Sequence, residues 1–310
     1  MVTDVISENA TRTPRRPRPV RETRGTRAFG AVNTVLLVLL CAAMLYPFVT
    51  VLAQSFSSPG AINAGQVSFW PVGFNTDTYA AVMSNDTFWR NYGNTVLYTV
   101  VGTVIAMLLT TTYAYVLSKK HLKGRKALIG IAVFTMFFNG GLVPNYVLIS
   151  SLGMKNTMWA IVLPGAISVF NLLVMKSFFE SLPKELEEAA QIDGLGWYGI
   201  FGRITLPLSK AVIATMVLFY SVAYWNDWFA AFLYLDKTEL FPVTLFLRNL
   251  IAGASTSASE GAAAAGTTTA LVSTNIQAVT MILTVIPILC VYPFVQRYFV
   301  SGVMLGSVKG

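Results

Sequence analysis

Ser181-Leu182-Pro183-Lys184-Glu185-Leu186-Glu187-Glu188-Ala189-Ala190-Gln191-Ile192-Asp193-Gly194, then Leu195 to Arg203, then Ile204-Thr205-Leu206-Pro207, is a polar stretch enclosed by apolar runs. Ser181 suits an N-cap and Pro183 an early helical position. Glu185, Glu187 and Glu188 sit where a helix N-terminus favours anions. Leu182, Leu186, Ala189 and Ala190 share one face at i, i+4, i+7 and i+8. Asp193-Gly194 ends the helix, because Gly takes a positive φ without steric cost. A second short helix is predicted over 197–204, stopped by Leu206-Pro207. The sum is a helix–turn–helix knuckle with an acidic, partly apolar surface. Such a surface can dock into a groove on a soluble partner. The alternative is a loop that only joins its neighbours.

The neighbours are membrane spans. A bilayer core of about 30 Å needs about 20 mostly apolar residues in helical form. The intervals between charged residues supply six such runs, at about 31–53, 92–117, 127–149, 156–175, 211–235 and 276–295. They are continuous rather than alternating, which disfavours a β-barrel. The expected fold is an all-α integral membrane protein with six transmembrane helices. Pro47, Gly140, Gly141, Pro144, Pro164, Pro287 and Pro293 fall inside the runs. They mark kinks and close helix approach.

Composition agrees. Of 310 residues, 55% are hydrophobic and only 12% charged, about half the charge of a soluble domain. That excludes an ordinary soluble enzyme and a disordered chain. The net charge of +8 is a topology signal rather than a nucleic-acid signal. With the N-terminus inside, cytoplasmic pieces hold seven Arg before the first span and five Lys/Arg in 119–126. Four more lie in 176–210 and two in the tail, so 18 of 22 bases lie on one side. Only Arg90, Lys155, Lys237 and Arg248 lie outside. This is the positive-inside pattern, and six spans return the C-terminus to the cytoplasm.

Residues 1–28, rich in Arg and Pro, read as a disordered cytoplasmic arm, and 29–310 as the six-span domain. A twin-arginine export signal is the rival reading of the arm. The apolar run over 31–53 is long for that, although Leu52-Ala53-Gln54 resembles a cleavage site. Residues 236–275 form an external loop, whose Gly/Ala/Ser/Thr-rich part, 253–270, is expected to be flexible. Just before it, 240–251 can lie along the outer interface. Cys41 and Cys290 sit in apolar runs without disulfide or metal spacing. His121 is the single histidine, in a basic loop, which excludes His-based triads and zinc sites of the HExxH kind.

Glu188-Ala189-Ala190, three residues, Gly194, nine residues, Ile204, one residue, Leu206-Pro207 resembles the EAA loop of permease subunits of ABC importers. Its place between the fourth and fifth spans is that of six-span members. Phe138-Asn139-Gly140-Gly141-Leu142-Val143-Pro144 and the terminal Gly302 to Gly310 are similar to maltose-type carbohydrate permeases. Within these the chain looks most like the LplC-like branch, assigned to oligosaccharides and polysaccharide fragments. The resemblance covers about 29–310 and implies a MetI-like permease fold in the cytoplasmic membrane of a bacterium. It implies that Glu188, Ala189, Ala190, Asp193, Gly194, Ile204, Leu206 and Pro207 carry the coupling to the ATPase, with Glu188 as the ionic contact. It also implies that Ser307, Val308, Lys309 and Gly310 reach towards the ATPase dimer, a plain chain end being the rival. The implied partners are ABC ATPase subunits, a second homologous permease, an extracellular solute-binding protein and membrane lipid. ATP and Mg would sit on the ATPase, and no cofactor on this chain. In keeping with that, the chain has no GxxxxGK[ST] pattern and is read as no enzyme.

Tyr224-Trp225-Asn226-Asp227-Trp228, towards the outer end of the fifth span, has two readings. Aromatic stacking plus polar side chains suits a sugar path, and an interfacial aromatic belt with one snorkelling acid is the other. Asn139 and Asn171 are further polar candidates, each with an interhelical hydrogen bond as its rival role. A secondary transporter or channel needs only the six spans, but ion coupling calls for buried mid-membrane acids or bases. Asp227 is the one candidate for that.

Overall fold

The computed structural model describes residues 24–261, 275–291 and 293. Among these there is no strand. The helices run α1 Arg24–Ser55, α2 Pro59–Asn63, α3 Asp77–Met83, α4 Asp86–Ser118, α5 Arg125–Phe137, α6 Leu142–Ser151, α7 Trp159–Val162 and α8 Val169–Ser181. They continue as α9 Lys184–Ile192, α10 Trp197–Ile200, α11 Leu206–Leu208, α12 Lys210–Asn226, α13 Phe229–Tyr234, α14 Val243–Gly261 and α15 Asn275–Val291. Residues up to Thr50 form one compact unit and those from Val51 another. In the first, side chains 25–49 of α1 are exposed throughout.

In the second unit α4 is the central post, packed against α12 and α8. Its buried face carries Gly102, Ala106, Thr110 and Ala114 at every fourth position. The facing α12 buries Val212, Met216, Tyr220 and Tyr224 at the same interval. Small residues on one helix thus receive large ones on the other, and two i±4 ridges interlock. Gly102 makes the approach possible. A Cβ there would lie 2.8 Å from the Tyr224 ring.

By length and composition two helices can cross a membrane unaided, Gly25–Ser55 and Asp86–Ser118. There are up to four if two bent pairs each count as one span. Among the described residues the remaining apolar runs are broken, bent or shorter helices. The third run breaks between α5 and α6 with a bend of 111°. Gly141 has φ 91° there, which a side-chain-bearing residue resists. Asn139 Oδ1 accepts from the Gly141 N–H at 3.0 Å and from Asn145 Nδ2 at 3.2 Å. Among the described residues Asn139 thus caps the break locally.

The fourth run breaks between α7 and α8, around Pro164. A broken helix in a bilayer strands backbone groups that water cannot reach. Two tyrosines of α12 satisfy them. Tyr224 Oη donates to the Val162 carbonyl at 2.9 Å, and Tyr220 Oη accepts the Ser168 N–H at 3.0 Å. Tyr220 Oη also pairs with Thr110 Oγ1 at 2.7 Å. The fifth run ends α12 at Asn226, and Asp227 Oδ1 accepts the Ala230 N–H at 3.0 Å, starting α13. Residues 253–261, expected as flexible loop, continue α14 as helix. Residues 262–274 lie outside the described ones.

On the side assigned to the exterior, Asn156 takes φ 56° and clamps the chain after α13. Its Oδ1 accepts the Asp236 N–H at 2.6 Å, and its Nδ2 donates to Asp236 Oδ2 at 3.1 Å. Lys155 Nζ lies 3.4 Å from the same oxygen. The Asn156 amide, then Lys155, hold the Asp236 carboxyl below its usual pKa. A depressed folded-state pKa contributes stability above the unfolded value, lost as pH falls through the folded one. Thermal stability is thus expected to drop on acidification below about pH 4. In Asp236→Asn that part of the pH slope should be absent; an unchanged slope would refute the assignment.

Candidate coupling knuckle and membrane cavity

The knuckle is built by local rules. Ser181 is the last residue of α8, and its Oγ donates back to the Phe178 carbonyl at 2.7 Å. It does not cap α9, which starts at Lys184 with Pro183 before it. At the other end Gly194 has φ 81°. Its N–H reaches the Gln191 carbonyl at 3.0 Å, and the Leu195 N–H reaches Ala190 at 2.9 Å. This is a Schellman cap. A Cβ at Gly194 would cost about 1–2 kcal/mol of left-handed strain. The Ala190-to-Gly194 spacing is therefore the spacing of a helix end.

The predicted second helix is longer than expected. After α10 the chain widens into a π turn over Phe201–Thr205 and continues through α11. Pro207 therefore lies within helical backbone and does not stop it. An i→i+5 turn directly upstream suits a residue with no N–H to give. The chain turns at Ser209 instead, by 82°, into α12. Of the face Leu182, Leu186, Ala189 and Ala190, only Ala190 is buried.

The five acids of the knuckle divide into two sets. Glu187 pairs with Lys119 at the end of α4. Glu180 pairs with Arg125 at the start of α5 and with Lys176 at 3.0 Å. Lys119 Nζ also lies 4.1 Å over the Tyr115 ring, and Tyr115 packs on Phe201 at 4.7 Å. The Glu187 and Phe201 contacts staple the knuckle to the end of α4, while the Glu180 pairs tie α8 to the start of α5. Glu185, Glu188 and Asp193 make no ion pair among the described residues and are exposed. On the same knuckle Ile192 is 87% and Tyr198 94% exposed. Exposed acids and exposed apolar side chains thus share the knuckle surface.

Within the bundle a cavity of about 790 Å³ opens where α7 and α8 break, bounded by α12. Asn171, Tyr224 and Asp227 line it, with Ser168 and Phe219. The aromatic cluster is divided by helix geometry. Tyr224 faces the cavity rim while bracing the break. Trp225 turns away, with its indole N–H donating to the Thr284 carbonyl at 3.2 Å and its ring edge-on to Tyr92. Asn226 is exposed and bonds its own helix at Val222. Trp228 is exposed beneath Arg248, whose guanidinium lies 5.3 Å from its ring centre. Among the described residues no three His, Cys, Asp or Glu come together to hold a metal.

No protein-family model matches the chain. Individual relatives do. Protein LplC of Bacillus subtilis is 41% identical over 269 residues, covering 87% of this chain and 90% of the relative. The polygalacturonan/rhamnogalacturonan transport system permease protein YtcP of the same organism is 39% identical, covering 85% and 92%. The chain belongs to the permease subunits of carbohydrate ABC importers. Among solved structures, this permease resembles a chain of a bacterial ABC transporter involved in import of the acidic polysaccharide alginate. The match has a TM-score of 0.80 and 32% identity, over 90% of this chain and 99% of that one. The permease is thus a non-enzymatic subunit of a bacterial membrane importer for carbohydrate.

Sequence reasoning placed Glu188 and Gly194 in the knuckle but did not single out Ile192 or Tyr198. Ile192 lies off the Leu182/Leu186 face, and nothing in the local pattern separates Tyr198 from Trp197. Ile204 is half-buried, and Leu206 and Pro207 lie in α11, before the turn at Ser209. Ser307, Val308, Lys309 and Gly310 lie outside the described residues, as do residues 1–23.

Proposed function

We propose that the permease is one transmembrane half of an importer that moves an oligosaccharide by alternating access, driven by a separate ATPase seated on the knuckle. The supporting observation is the division of the acids. Glu187 holds the knuckle to the end of α4, Glu180 ties the adjoining α8 to α5, and Glu188 remains exposed on the same helix as the exposed Ile192. A staple of this kind can transmit motion, and an exposed acid one helical turn from an exposed apolar side chain can receive a partner. The ATPase holds ATP and Mg. A second homologous permease completes the path, and an extracellular solute-binding protein delivers the sugar. Six spans with both termini in the cytoplasm are supported by the 18 basic residues on one side. The substrate path runs past Asn171, Tyr224 and Asp227. That the named relative and the alginate importer act on polysaccharides supports an oligosaccharide cargo.

The test uses the complete complex with Cys41 and Cys290 replaced by serine and Ile192→Cys added. A membrane-impermeant maleimide should label Cys at 192 in inside-out vesicles stripped of ATPase, and rebound ATPase should protect it. Labelling from outside in intact cells, or no protection by ATPase, would sink the docking assignment.

A further inference from the structure

The cavity at the α7–α8 break has a chemistry of its own. Asn171 is 5% exposed, yet its side-chain amide has no hydrogen-bond partner among the described residues. Only its backbone N–H is engaged, at Ser168 Oγ. The side-chain polar atoms are not sealed off by protein, and the residue lines an open cavity, so a ligand or water can pair with them. Asp227 lines the same cavity with Oδ1 committed to the Ala230 N–H. No described Lys, Arg or His lines it, and Asp227 forms no ion pair among the described residues. Tyr224 and Phe219 supply aromatic wall. A donor–acceptor amide, an acceptor carboxylate and an aromatic wall fit sugar hydroxyls and ring C–H faces. The same carboxylate repels a second carboxylate, and a low-dielectric wall strengthens that repulsion.

We propose that Asn171 and Asp227 form a subsite for an uncharged, hydroxyl-bearing sugar unit, and that Asp227 excludes uronate units from it. This rests on the importer reading above and deepens it. It also separates this permease from relatives named for acidic polymers, whose cargo carries a carboxylate on many units. Asp227 is the specificity residue, and Asn171 orients the hydroxyls it meets.

The experiment uses the complete complex, with both native cysteines replaced by serine and Asn171→Cys as a reporter. Ser168→Cys serves as a second reporter in case the first does not assemble. Labelling rates are compared for a cationic (trimethylammonium-ethyl) and an anionic (sulfonato-ethyl) methanethiosulfonate. Adding Asp227→Asn should lower the cation-to-anion rate ratio about tenfold or more. Tetragalacturonate, offered with the receptor, should leave labelling unchanged. An unaltered ratio in Asp227→Asn, or protection by tetragalacturonate, overturns the proposal. Failure of the importer reading is a different result: the unmodified complex would then show no ATP-driven uptake of any saccharide, whatever the labelling ratio.

Discussion

Glu188→Lys should abolish ATP-driven uptake while leaving the permease inserted and folded. The expected loss is at least thirtyfold, equivalent to about 2 kcal/mol, the lower end for reversing a charge at a desolvated contact. The ground for a selective effect is that Glu188 has no ion-pair partner within the described chain, so nothing internal is broken. Glu187 is the internal control, because its carboxylate is committed to Lys119. Glu187→Gln loosens the staple and lowers thermal stability, whereas Glu188→Lys does not. ATPase co-purification and uptake in reconstituted vesicles read the first effect, and thermal unfolding reads the second. Normal uptake in Glu188→Lys would remove the knuckle from the coupling path.

The second large effect concerns the fold. Gly102→Val should prevent the α4–α12 contact from closing. Two terms compete at this position. Replacing a mid-helix Gly stabilises the helix, by about 1 kcal/mol when the replacement is Ala and by less for a β-branched residue. Overpacking costs about 1–3 kcal/mol, and a Cβ at 2.8 Å from the Tyr224 ring puts this site at the upper end. Overpacking therefore wins. The ring cannot swing away cheaply, because its hydroxyl holds the Val162 carbonyl across the broken helix. The variant should give little folded complex by size-exclusion chromatography and a lowered Tm. Shortening the opposing side chain, as in Gly102→Val with Tyr224→Leu, should recover part of the loss. A wild-type Tm in Gly102→Val alone would show that the helices are not held at this separation.

Both effects meet at α12, which links the knuckle to the cavity. Ser209 begins the turn from α11 into α12, and Tyr220 and Tyr224 brace the α7–α8 break that opens the cavity. A displacement of the knuckle therefore reaches the cavity wall through one helix. The contacts it would disturb are the two tyrosine hydrogen bonds, each worth about 1 kcal/mol. That is small enough to be exchanged during a transport cycle.

The sequence alone determined the features set by neighbours in the chain. Helical class follows from apolar run length, because backbone groups in lipid must be satisfied within one segment. The knuckle and its end at Gly194 follow from periodicity and from the need for a positive φ. Membership of the permease family was legible in the Glu188-to-Pro207 spacing for the same reason, since a helix cap repeats wherever the motif does. The tertiary structure decided what depends on distant partners. Glu187 and Glu188 are adjacent and chemically alike, and only the position of Lys119 across the interface makes one a staple and leaves the other bare. Pro164 announces a break but not its repair, which comes from tyrosines more than fifty residues later in the chain. Asn171 reads in the sequence as one more polar residue in a span. That its amide faces an open cavity together with Asp227 follows from how α8 packs against α12, and no local pattern encodes that register.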